Sequence, residues 1–185
     1  MKIGKRTLIV TLLLTIFLVN MAAPASAYSY SGYKWNANYV VPKIDSSVPS
    51  SWTTAIKAGA TAWNNAGAAF TFKWITSAAD NRIYCTSAGD TYLGLAVPTH
   101  GGGYNIGYKT YFNTDYPWST ASGGESGKYD VQSVATHEFG HWLTLWDLYD
   151  SIDSEKTMYQ WTASNEIKKR TLHSDDIAGI KHIYP

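Results

Sequence analysis

The chain has 185 residues, with 15 Lys and Arg against 14 Asp and Glu, and is 45% hydrophobic and 15% aromatic. That size and composition describe one globular domain, with or without an appendage, and exclude a disordered chain. The near-neutral balance argues against a nucleic-acid partner, which needs a basic stripe, and a single cysteine excludes an internal disulfide framework.

Residues 1–27 read as a secretory signal peptide. Lys2, Lys5 and Arg6 precede an apolar run over 8–19, and Ala25-Ser26-Ala27 offers a small-residue cleavage site. The run is too short for a spanning helix, which needs about 20 apolar residues. Removal would take all three N-terminal cations and leave a mildly acidic, exported domain over 28–185 with no membrane contact, expected as a monomer.

Tyr39-Val40-Val41 reads as a strand. Trp52, Ile56, Ala60 and Trp63 then fall at helical spacing, so a first helix is expected over 52–65. Pro49-Ser50-Ser51 offers hydroxyl caps before it, and Asn64-Asn65-Ala66-Gly67 a stop after it. Short aromatic or β-branched stretches over 70–75, 82–85, 93–97 and 106–112 read as strands, with loops over 101–103 and 119–127. Cys85, inside one such strand, reads as a small buried hydrophobe. Asp130 is a good cap for a second helix running toward Leu143. A third opens at Ser174, with Asp175 and Asp176 at its positive end and Ile177, Ile180, Ile183 and Tyr184 as its apolar stripe. The order of elements gives an α+β (mixed α/β) domain. Trp and Tyr, at 8 and 14, outnumber the 5 Phe, which suits half-exposed grooves as well as cores.

The second helix carries His137-Glu138-Phe139-Gly140-His141. Histidines four apart share one helix face, about 5–6 Å between Cβ atoms, so two imidazoles can bind one ion. Zinc suits them, and a catalytic zinc takes three protein ligands plus a water whose proton Glu138 can accept. Chance alone places HExxH in on the order of one random chain of this length in a hundred. Two residues qualify as third ligand. Asp147 requires a sharp return after the helix; Glu166 requires a separate helix, as in thermolysin-like enzymes.

The string HEFGHWLTLWD resembles the metzincin pattern HExxHxxGxxH/D, with Asp147 in its last position. Thr157-Met158-Tyr159 resembles the Met-turn of the matrixin branch, and Leu172 through Tyr184 resembles its last helix. Lys34-Trp35, the stretch 39–44, Ala62-Trp63-Asn64-Asn65 and Phe70-Thr71-Phe72 agree with its opening elements. A matrixin-like metzincin implies a twisted mixed sheet of about five strands with three helices, spanning 28–185. It implies one catalytic zinc on His137, His141 and Asp147, Glu138 as general base, and Met158 beneath the metal without binding it. The implied function is a secreted zinc endopeptidase acting on peptide or protein substrates.

This chain departs from the family in three places. Thr144 stands where the family has glycine at positive φ, so either Thr144 is strained or the turn is built differently. Asp150 is then the fallback ligand. Ala88, Val97 and Tyr111 stand where animal matrixins hold structural-zinc histidines, leaving His100 as a lone, exposed loop residue. No cysteine-bearing inhibitory segment fits between Ala27 and the first strand.

The family resemblance also makes 106–112 an edge strand that pairs with substrate, and places Trp161 in the specificity pocket in preference to the core. The acids Asp147, Asp150, Asp153 and Glu155 could take calcium, though such a run is more often a solvated loop. Lys168-Lys169-Arg170 reads as a solvated face, and His173 and His182 have no evident partner. The rival from another class is a non-catalytic secreted module that stacks its aromatic residues on glycan or cell-wall polymer around a structural metal.

Overall fold

The sheet begins with one extended stretch that pairs on both sides, in a computed structural model that describes residues 28–76 and 80–185. The expected signal segment, 1–27, lies outside the described residues. β2 (Tyr39–Val40) runs parallel to β4 (Thr71–Phe72), and β3 (Lys43–Ile44) runs parallel to β5 (Arg82–Thr86). The carbonyls of Asn38 and Val40 accept from Thr71 and Lys73, whereas Lys43 and Asp45 donate to Asn81 and Ile83. Alternate residues thus bond to opposite neighbours, as extended backbone requires. β5 continues in parallel to β7 (Tyr104–Asn113), which pairs antiparallel with β6 (Gly94–Gly101), and a short parallel pair, β8 (Trp118–Ser119) with β9 (Tyr129–Asp130), precedes the second helix. With the interrupted strand counted once, this is the mixed sheet of about five strands that was expected.

The edge of the sheet is not where it was expected. The strand over 106–112 is interior, and β6 is the edge. The cause is the hairpin turn at Gly102 and Gly103, whose φ of 59° and 83° fold β6 and β7 together. His100 consequently belongs to β6 instead of a loop, exposed and stacked on Tyr33 at 4.1 Å between ring centroids.

Three helices pack with the sheet: α1 (Thr53–Asn64), α2 (Val131–Trp142) and α3 (Ser174–Ile183). The hydroxyl caps offered before α1 are not used. A 3-10 turn, Ser50–Trp52, leads directly into the helix and no side chain caps it. Asp130 does cap α2, accepting from the Ser133 N–H at 2.6 Å. His173, without an evident partner in the sequence, caps α3 in a reciprocal box with Asp176.

Between sheet and helices lies a core of Ile56, Trp63, Phe72, Ile83, Phe112, Val131, Phe139 and Trp142. Its indoles bury their rings and still satisfy their N–H groups: Trp63 donates to Thr136 O at 2.7 Å, Trp142 to Thr110 Oγ1 at 2.7 Å, and Trp35 to Trp142 O at 2.6 Å. Each of these tryptophans thereby ties α2 to another element. Truncating one to alanine would cost about 3–5 kcal/mol. Cys85 is half-buried on β5, and burial pushes its thiol up to about 11, so it is inert at neutral pH.

The run Lys168-Lys169-Arg170 is not a solvated face. It forms a 3-10 turn against α2 in which Lys169 is 1% exposed and its ammonium donates to Tyr159 O. Arg170 grips the Asp130 carboxylate with Nε at 2.9 Å and Nη2 at 2.5 Å, and also donates to the Ala121 and Ser122 carbonyls. A charge run looks solvated in sequence because its partners are distant; here they are the cap of α2 and the turn beneath it. No described helix is long and apolar enough to cross a membrane.

Candidate metal centre

α2 presents His137 and His141 on one face, with ring centroids 4.8 Å apart. Their Nδ1 atoms face backbone carbonyls, His137 toward Thr157 O at 2.8 Å and His141 toward Leu145 O at 2.8 Å. A carbonyl only accepts, so each Nδ1 carries the proton and each Nε2 is left with a lone pair. Asp147 directs Oδ1 to these same atoms, 3.1 Å from His137 Nε2 and 3.6 Å from His141 Nε2. Three electron-pair donors converge within 4.8 Å of one another, and Asp147 Oδ1 is buried without a hydrogen-bond partner. Lone pairs facing one another need a cation between them. Two neutral imidazoles and a carboxylate fit zinc, as do the carbonyl partners that fix both rings.

Among the described residues this is the group of His, Cys, Asp or Glu that could hold a metal. Glu166, the rival third ligand, lies outside it, 3.7 Å from the Lys168 ammonium. Asp150 lies outside it too, capping the 3-10 turn Ser151–Asp153. The acidic run proposed for calcium diverges, with Asp153 paired to Lys156 at 2.7 Å and Glu155 to Lys168 at 3.0 Å.

Asp147 reaches the histidines because the chain reverses after α2 through Thr144, whose φ is +74°. A β-branched residue there costs about 1–3 kcal/mol. The residue is 1% exposed and held on several sides. Its N–H donates to His141 O at 2.8 Å, its hydroxyl to Leu143 O at 2.5 Å, and its carbonyl accepts from Ser31 N–H at 3.0 Å. Beyond it, β10 (Leu145–Trp146) pairs antiparallel with β1 (Ser29–Tyr30).

Met158 packs against α2 at Gly140, between the two histidines, and is 1% exposed. A side chain on Gly140 would meet its sulfur at 2.2 Å, so the fourth residue of the motif must be glycine for the turn to approach α2. The turn is pinned from below, Asp176 Oδ2 accepting from Thr157 N–H at 2.9 Å, and Met158 O accepts from Leu148 N–H at 2.8 Å. One turn therefore orients His137 through Thr157 and anchors the strand that carries Asp147. Sequence reading gave Asp176 only a role at the helix terminus; its link to Thr157 spans 19 residues and leaves no local signal.

Glu138, beside the first histidine, is 5% exposed, and its Oε2 is buried without a partner. A side chain on Gly94 of β6 would strike its other oxygen at 2.5 Å, a close approach the sequence reading missed. Burial pushes the Glu138 carboxyl up to about 7. Burial and the neighbouring His137 hold His141 down at about 4, so it stays neutral at physiological pH. Burial works to raise Asp147 too, but the facing His137 and His141 rings and the Lys169 ammonium outweigh it and its carboxyl is lowered. All four residues line one cleft of about 610 Å³, walled by β6 and by Gln160, Trp161 and Thr162. Trp161 is 66% exposed at its rim, on the pocket side of the expectation.

Residues 35–185 match the family model described as Matrixin. The chain is 35% identical to matrix metalloproteinase-16 of Homo sapiens over 82 residues, which is 44% of this chain and 13% of that protein. It is 37% identical to neutrophil collagenase of Homo sapiens over 82 residues, 44% of this chain and 16% of the relative. Matrix metalloproteinase-27 of Homo sapiens is 36% identical over 92 residues, 50% of this chain and 16% of its own length. The matches thus span well under a fifth of these relatives.

Proposed function

The chain belongs to the matrixin family, and on that premise we propose that it is a zinc-dependent endopeptidase in which His137, His141 and Asp147 hold the metal and Glu138 is the general base. The observation that carries the reading is the convergence of three unprotonated donors beside a buried carboxylate whose Oε2 has no hydrogen-bond partner. A zinc ion bound there would supply a Lewis acid that makes water nucleophilic near neutral pH and polarises a peptide carbonyl.

In this reading Glu138 takes a proton from the attacking water and returns it to the departing amine nitrogen. Its burial supports both tasks, because a carboxyl raised toward neutrality accepts and releases a proton at comparable cost. The nucleophile is water, so no covalent acyl-enzyme is required. The outer edge of β6 has no strand partner among the described residues. Its unpaired backbone groups would bind an extended peptide by strand addition beside Glu138. Trp161 and Thr162 form the facing wall, which suits an apolar side chain next to the scissile bond.

Export is part of the proposal, supported by the basic, apolar and small-residue pattern over 1–27. A non-catalytic glycan-binding module would have no use for a buried Glu138 with a free Oε2 beside the metal position. The test is cleavage of a mixed peptide library by the purified protein, then after chelation and after adding back one equivalent of zinc. Cleavage lost and restored in step with zinc supports the reading; cleavage indifferent to chelation overturns it.

A further inference from the structure

We propose that the N-terminal strand β1 is part of the metal centre's machinery, with the Ser31 backbone N–H as a positioning group for Asp147 and His141. The inference rests on the metal-site reading above and concerns what holds that site in shape.

β10 is the short segment on which the geometry depends. Leu145 O fixes the His141 ring at 2.8 Å, and Asp147 follows Trp146 directly. At its far end Leu148 is tied to Met158. At its near end stands Thr144, in a backbone conformation that a β-branched residue avoids. Among the described residues, the strand paired with β10 is β1, in the register Ser29 with Trp146 and Tyr30 with Leu145. Continued by one residue, the ladder places Ser31 opposite Thr144, and the Ser31 N–H donates to Thr144 O at 3.0 Å. That bond sets the orientation of the Thr144–Leu145 peptide, and so the direction in which the chain leaves α2.

β1 has little else to do. Both of its residues are exposed, Tyr30 at 38%, so its contribution to the core is small. Ser31 and Tyr33 instead line the cleft beside Trp146 and Asp147. An exposed strand that pairs with the segment leading from a buried, strained Thr144 to a ligand is placed to act on the ligands and not on global stability.

Ser31→Pro removes the donor N–H; Ser31→Ala retains it. Zinc affinity would be measured by chelator competition on both variants and the wild type, with urea unfolding of the metal-free proteins and the visible spectrum of the cobalt-substituted forms alongside. Ser29→Pro, which interrupts the ladder two pairs further out, is a second variant should Ser31→Pro fold poorly. The expected result is a zinc affinity roughly 10–100-fold weaker for Ser31→Pro, with a changed cobalt spectrum and near wild-type unfolding. Ser31→Ala should stay within about twofold of the wild type, a change of under about 0.5 kcal/mol. Wild-type affinity and spectrum in a folded proline variant, or equal losses in Ser31→Pro and Ser31→Ala, would overturn the proposal. A wild-type protein that binds no zinc would instead overturn the metal-site reading itself.

Discussion

His137 Nε2 and Asp147 Oδ1 stand 3.1 Å apart with no proton committed between them. The His137 Nδ1 proton is given to Thr157 O, so the near ring nitrogen and the carboxylate oxygen face each other as two acceptors. A cation resolves that conflict. In its absence an extra proton would have to do so, which makes the site a poor arrangement for anything but a metal.

Asp147→Asn follows from this geometry. The amide can donate to the His137 lone pair, so the metal-free variant should be as stable as the wild type or slightly more so. Its zinc affinity should fall by roughly two orders of magnitude or more, since the charged ligand is lost. Glu166→Ala should leave zinc affinity near wild type. Chelator competition and urea unfolding of the metal-free forms check both; the opposite ranking of the two variants would restore the thermolysin-like alternative.

Gly140→Ala tests the approach of the turn to α2. The new methyl would sit 2.2 Å from the Met158 sulfur and 2.9 Å from the Trp63 ring, so one of them must move. Overpacking of this kind costs about 1–3 kcal/mol. Urea unfolding should show that loss, together with weaker zinc binding, because Met158 and Thr157 move as one turn.

Lys169 gives a pH dependence of defined sign. Burial holds its ammonium down to about 8, although the charges of Glu166, Glu138 and Asp147 work to raise it. In the unfolded chain it titrates near 10.4. The folded state therefore binds fewer protons than the unfolded one between about 8 and 10.4, and stability gains with rising pH across that window. Relative to Lys169→Met, the wild type should become more stable from pH 8 to 10, by at most about 1.4 kcal/mol per pH unit. Urea unfolding of both proteins at successive pH values checks this; a flat difference would show that the buried amine keeps its proton through pH 10, as in the unfolded chain.

The candidate site was legible in the sequence because it is local. His137, Glu138 and His141 sit within one helical turn, and Asp147 lies close enough for a single reversal to deliver it. Thr144 could be flagged as strained because the family pattern demands positive φ there, and it has φ +74°. What sequence reading missed is held by distant partners. The link from Lys169 to Tyr159 O, the grip of Arg170 on Asp130 and the pinning of Thr157 by Asp176 each join separate elements. The edge strand was misassigned for a smaller reason. Gly101-Gly102-Gly103 read as a loop, whereas Gly102 and Gly103 alone make the turn and let β6 run on through Gly101.

The most direct test is Glu138→Gln, assayed for zinc content and peptide cleavage in the same preparation. Glutamine keeps the shape of the side chain and cannot accept the water's proton, and Glu138 lies outside the three-donor cluster. The account predicts one zinc per chain, unchanged unfolding within about 1 kcal/mol, and cleavage reduced by at least about a hundredfold. A variant that holds its zinc and still cleaves at near the wild-type rate would contradict it.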